Sequence, residues 1–115
     1  TATGRLLTAF LPEEQQRAII GSANLSAYWP EQAGTSEETL REIFSQIRRD
    51  GFVIRQAEMH VVGTAFAIYE QQQVSAALGV HLPAYRFVDA HRGEVLEKTK
   101  AAAEDISRHL NEIAR

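Results

Sequence analysis

The stretch HVVGTAFAIYEQQQVSAALGVHLP, residues 60–83, decides the fold. On both sides of EQQQ, apolar residues recur at every second position, which is the period of a strand and not of a helix. The stretch reads as two long strands in an antiparallel hairpin. If Gln71 and Gln72 form a two-residue turn, Glu70 faces Gln73. The turn carries no Asn-Gly signal, so its chemistry alone does not fix the register. Alternation then sorts the side chains onto two faces. One collects Val61, Gly63, Ala65, Ala67 and Tyr69 with Val74, Ala76, Leu78 and Val80. It is small and apolar and suits helices packed on top. The other collects His60, Val62, Thr64, Phe66 and Ile68 with Ser75, Ala77, Gly79 and His81. A slip of one residue would mix the two sets.

The second face is chemically mixed, and Gly79 removes a side chain from the middle of it. A hollow there, walled by Val62, Thr64 and Phe66 with His81 beside it, has the make-up of a small-molecule pocket: apolar walls and a few donors. Two plainer readings stand beside this one. An antiparallel sheet often has one solvated face, and a glycine in a strand often marks a bulge. Upstream, FVIRQAE gives a third, shorter strand with Val53, Arg55 and Ala57 on one face. Arg55 is either an exposed edge arginine or a cation at the pocket mouth, suited to a carboxylate. His60 and His81 share a face in this register, with Glu58 or Glu70 nearby. No metal-ligand spacing of the H-E-x-x-H kind accompanies them, so no metal site is assigned. His91 and His109 read as surface residues.

Further outward the period becomes helical. Thr1 or Thr3 caps a first helix whose apolar face is Leu6, Leu7 and Phe10. Pro12 opens a second helix over 12–20, with Glu13 and Glu14 in its first turn and Gly21 at its end. Ala18, Ile19 and Ile20 are its expected buried side. Residues 22–34 read as a loop carrying Tyr28 and Trp29. Thr35 and Glu38 have capping-box spacing, and Leu40, Ile43, Phe44 and Ile47 share a helical face that stops at Gly51. The last helix is expected from about Arg92 to Ala114. Val95, Thr99, Ala102, Ile106, Leu110 and Ile113 form its stripe, and its alanines make it the natural cover for the small face of the hairpin.

A chain of 115 residues with a formal charge of −3 suits one domain. That charge argues against a free-standing nucleic-acid binder, which normally shows a basic stripe. Without cysteine there is neither a disulfide nor a thiolate site, and a reducing compartment such as the cytoplasm fits. No apolar run approaches the roughly 18 residues of a membrane helix. Catalysis has little support: no G-x-S-x-G elbow, no Walker-type glycine loop, and no carboxylate pair in a strand context. No cofactor is expected. The chain starts without Met and runs at once into helical sequence, so a piece of a longer protein is expected.

Taken in order, TGRLLTAFLPEEQQRAII, TSEETLREIFSQIRRDGFVIRQAEMHVVG, VSAALGVHLP and a final helix with AAAEDISRHL resemble the effector-binding domain of IclR-type bacterial transcriptional regulators. The resemblance covers nearly the whole chain. It implies an α/β (α+β), GAF-like or profilin-like domain, with flanking helices on an antiparallel sheet and a long C-terminal helix. It also implies a small-molecule effector, a homodimer or tetramer, and DNA contact only through a winged helix-turn-helix domain outside residues 1–115. The first part of the effector domain would lie outside them too. Carried over residue by residue, the ligand-contacting helix start falls on Ala2 and Thr3. The aspartate after R-x-x-G-Y falls on Arg55, the small pocket residue on Thr64 or Ala65, and the two serines of S-V-S-G-P on Gly79 and His81. Phe66 joins them as a wall. Arginine for aspartate and Gly-x-His for Ser-x-Ser are departures, and the hairpin is about three residues shorter than the family pattern in this reading. A larger or aromatic acid then fits better than a small hydroxylated one. A purely structural dimerisation module with a vestigial pocket is the alternative, and a histidine metal site ranks last.

Overall fold

In a computed structural model, residues 1–21, 36–57 and 60–113 are described. The expected loop with Tyr28 and Trp29, the cap at Thr35, and Glu58 and Ala114 lie outside them. The element order is α1 (Ala2–Ala9), α2 (Glu13–Ile20), α3 (Glu37–Asp50), β1 (Phe52–Ala57), β2 (Val61–Glu70), β3 (Gln73–Pro83), a 3-10 turn (Ala84–Arg86) and α4 (Asp89–Ile113). The strands form one antiparallel sheet in the order β1-β2-β3. The fold is therefore the mixed helix-and-antiparallel-sheet architecture expected from the sequence.

Local chemistry sets the helix ends. The Thr1 side chain accepts from the Gly4 amide at 3.0 Å and starts α1. Ser36, one residue later than expected, starts α3 by accepting from the Thr39 amide at 3.2 Å. Gly51 stops α3 in the left-handed region (φ 74°), a conformation that costs glycine nothing. Asp89 begins α4 three residues ahead of the predicted Arg92. In α2 the buried residue is Gln16 (3% exposed), while Ala18 is exposed and Ile19 and Ile20 are half-buried. The reason is polar: Gln16 Nε2 donates to the carbonyls of Thr8 and Ala9 at the end of α1, where helix carbonyls run out of i+4 partners. Arg48 of α3 donates to the same Ala9 carbonyl at 2.9 Å. Arg41 bridges Glu13 of α2 and Glu37 of α3, each at 2.9 Å.

The hairpin turn falls where expected. Gln71 and Gln72 both have positive φ, Glu70 pairs with Gln73, and Asn111 of α4 accepts from the Gln71 amide. The register then departs from the simple reading. Tyr69 pairs with Val74, but Ile68 pairs with Ala76, so Ser75 is an inserted bulge residue. One extra residue reverses the face of everything beyond it. Ala77, Gly79 and His81 thus share a face with Ala67, Ala65 and Gly63, while Ala76, Leu78 and Val80 join Ile68, Phe66 and Thr64. His60 lies outside β2, in a turn with φ 76°.

Each face has its own cover, and the covers are the reverse of the expectation. The small face packs under α1 and α3, in a core of Ala2, Leu6, Ala9, Leu40, Phe44, Ile47, Val53, Ala65 and Ala67. Leu7, expected on the inner face of α1, points outward instead. α4 lies over the large face, where Phe66, Ile68 and Ala103 are buried and Leu96 and Leu110 pack around them. Its inward stripe is rotated from the expected one: Thr99 and Ala103 are buried, whereas Ala102, Ile106 and Ile113 are exposed.

Candidate functional site

The first turn of α1 sits directly on the small face of the sheet. This close approach is possible because the strands beneath offer little more than glycine and alanine. A methyl added at Gly63 would meet Ala2 Cβ at 3.6 Å, and one added at Gly79 would meet Thr3 Cγ2 at 2.7 Å. The second distance is shorter than real Cβ contacts, so any side chain at Gly79 would force the Thr3 side chain to move. The space over Gly79, expected as a hollow, is filled by the Thr3 methyl. Gly79 therefore makes room for a helix of the same chain.

Beside that contact lies a row of three residues. Arg55 of β1 pairs with Gly63 of β2, and Gly63 pairs with His81 of β3. Direct cross-strand partners point to the same face. Arg55 and His81 therefore flank Gly63 on the α1 side, with Cα atoms about 10 Å apart at ordinary strand spacing. The His81 ring leans over the glycine: its Cδ2 and Nε2 lie 3.2 Å from where a Gly63 Cβ would be. Arg55 is half-buried and His81 exposed. The amides of Ala2 and Thr3 have no intrahelical acceptor, as first-turn amides never do. The imidazole and the first turn of α1 thus meet over Gly63, and Arg55 is its partner on the neighbouring strand. Arginine, histidine and the start of a helix are chemically suited to an oxyanion.

Of the eight residues singled out from the sequence, six belong to this side: Ala2, Thr3, Arg55, Ala65, Gly79 and His81. Ala65 is the packed floor, fully buried and paired with Gly79. Thr64 and Phe66 do not join them, because both point to α4. Thr64 is fully buried and donates to the Val80 carbonyl at 3.3 Å. Phe66 stacks on Phe52, with ring centroids 5.2 Å apart. The bulge at Ser75 is what separates them from Gly79 and His81. Arg5 went unnoticed in the sequence. It is 6% exposed and lies on the buried face of α1, three residues after Ala2. Its i, i+3 spacing from Ala2 was the available signal.

Clefts bounded by described residues lie elsewhere. One of about 280 Å³ opens between Phe52, Phe66 and Ala103, with Lys100 and Glu104 at its rim. Another, of about 390 Å³, lies by Ile54, Val62, Phe87 and Arg92. The Arg92 guanidinium sits 5.2 Å from the Phe87 ring centroid. On α4, a hydrogen bond from Lys98 at 2.8 Å, aided by its charge, holds the Glu94 carboxyl below its ordinary pKa. The same bond raises Lys98, and both groups are exposed. No group of three or more His, Cys, Asp or Glu that could hold a metal ion occurs among the described residues, and no described helix is long and apolar enough to cross a membrane.

The family model of the bacterial transcriptional regulator IclR C-terminal region matches residues 1–108. Among solved structures, an IclR-family transcriptional regulator from Rhodococcus sp. is 29% identical with a TM-score of 0.70, covering 93% of this chain and 40% of that one. An IclR-type regulator from Silicibacter sp. TM1040 superposes with a TM-score of 0.79 at 24% identity, over 96% of this chain and 44% of that one. The inducer-binding domain of a double mutant of the PobR transcription factor from Acinetobacter, in complex with 3-hydroxybenzoic acid, gives 0.68 at 21% identity, over 93% and 63%. The chain spans less than half the length of the first two. No curated protein matches it.

Proposed function

The chain belongs to the IclR C-terminal family of bacterial transcriptional regulators, and from that premise we propose that it senses an organic acid and performs no chemistry. The observation that carries this reading is the row Arg55–Gly63–His81 beneath the first turn of α1. Its donors suit one carboxylate, and the missing side chain at Gly63 leaves the imidazole room to lean toward the arginine. An aromatic or otherwise bulky acid fits better than a small hydroxylated one, since the donors are a long guanidinium and a ring and not two serine hydroxyls. The complex of the PobR domain with 3-hydroxybenzoic acid is in keeping with that class. Binding changes the relative populations of conformations or assemblies in which DNA-binding domains outside these residues are placed. The protein works as a homodimer or tetramer in the cytoplasm, where its DNA is.

Titration calorimetry with a panel of substituted benzoates and keto acids tests the reading. Arg55→Ala is expected to weaken the best ligand about tenfold or more, the loss of one charge-assisted hydrogen bond of about 1.5–3 kcal/mol. His81→Ala is expected to weaken it less. Unchanged affinity in both variants removes the assignment.

One observation favours a second reading, a structural module without a ligand. Thr3 already fills the space over Gly79, as an occupied, vestigial pocket would have it. The two readings part in the full regulator: under the structural one, no acid of the panel binds and regulation survives Arg55→Ala and His81→Ala together.

A further inference from the structure

His81 is the one ionisable side chain of β3: Gln73–Pro83 contains no Lys, Arg, Asp or Glu. The ring is exposed and leans over Gly63. Among the described residues, the elements around it bring cations and no nearby acid. β1 brings Arg55, in the same row on the far side of Gly63. α1 brings Arg5 as its only charged side chain. The one acid of β2, Glu70, pairs with Gln73 at the hairpin tip, toward the other end of the sheet. α3 turns Leu40, Phe44 and Ile47 to this core and keeps its acids exposed. The turn before β2 adds His60, and the turn after β3 adds Tyr85 and Arg86. α4, whose first charged residues are Asp89, His91 and Arg92, packs on the opposite face.

An anion bound beside an imidazole favours its protonated form. Imidazole is also the side chain that changes charge between about pH 5 and 8. Over that range a guanidinium keeps its charge, and so does a carboxylate. We infer that the acid site is proton-coupled: His81 takes up a proton when the effector's carboxylate binds, so that the domain responds to the acid more strongly as pH falls. The proton comes from solvent, the ring becomes imidazolium, and the ligand stays a carboxylate. Affinity is greatest where the ring is already protonated in the free protein, and it declines as pH rises through the titration of the complex. The inference rests on the acid-sensing reading above and adds a regulation to it.

The test is titration calorimetry of the chain with a substituted benzoate between about pH 6 and 8, in buffers of different ionisation enthalpy. The Thr1 amine is acetylated, because an α-amino group titrates near the top of that range. Affinity is expected to be about tenfold higher at the acid end than at the alkaline end, which corresponds to about one unit of pKa change on binding. Net proton uptake is expected midway. His81→Gln, neutral throughout, is expected to hold affinity near its alkaline level and to abolish the uptake. Arg55→Ala is expected to weaken binding about equally at each pH and to keep the uptake. His60→Gln is expected to change neither. A benzoate that binds with one affinity at every pH and no uptake overturns this inference and leaves the acid reading standing. Uptake that persists in His81→Gln overturns it as well, by placing the proton on another group. If no acid of the panel binds at any pH, both fall together.

Discussion

The two sides of β2 are built on opposite rules. Toward α1 it shows Gly63, Ala65 and Ala67; toward α4 it shows Val62, Thr64, Phe66 and Ile68. Small residues let a helix lie almost on the backbone, which brings the first-turn amides of α1 down to the level of Arg55 and His81. Large residues hold the other helix away and fill the gap with packing. The row Arg55–Gly63–His81 therefore lies on the side where β2 has its smaller side chains, and the Phe52–Phe66 stack lies on the other, so that in this small domain row and stack occupy opposite faces of one sheet.

Substitutions can tell the two faces apart. Phe66→Ala should have the largest effect on stability, about 3–5 kcal/mol, because it removes a buried ring stacked on Phe52. Denaturant midpoints measure it, and ligand affinity of the fraction that remains folded should stay unchanged. Ala65→Leu should cost about 1–3 kcal/mol by overpacking against α1. This variant should also lose affinity, since it lifts the helix from the row. Equal behaviour of the two variants in binding would erase the distinction between the faces. A smaller effect of opposite sign is expected at the hairpin tip. Gln72 has φ 70°, and Gln72→Gly should raise stability by about 1 kcal/mol by relieving a left-handed side chain. Thermal melts would record it, without any change in binding.

Much of this was legible in the residues, for physical reasons that differ by element. Gly51, the Pro12 start of α2 and the two-residue turn at Gln71–Gln72 are local devices, and local devices can be read from a few neighbouring positions. The bulge at Ser75 was not legible. Neither Gly nor Pro marks it, and one inserted residue reverses every later side chain of β3. For that reason simple alternation puts Thr64 and Phe66 with Gly79 and His81, whereas the placing of α4 on the small face rests on its alanines. Gln16 and Arg5 escaped notice for a related reason. Each is a polar residue that long-range packing buries, and in Gln16 the cause is the end of another helix. Arg55 and His81 stand out in the strand pattern itself, Ala2 and Thr3 only through the family resemblance, and the row across Gly63 follows only from the register.

The most direct test of the anion-site claim is a backbone and side-chain NMR titration of the chain with a substituted benzoate. The account predicts that the largest shifts fall on the amides of Ala2 and Thr3, on the Arg55 Nε–H and on the His81 ring. Shifts centred instead on Phe52, Phe66 and Ala103, or no saturable shifts with any acid of the panel, would contradict it.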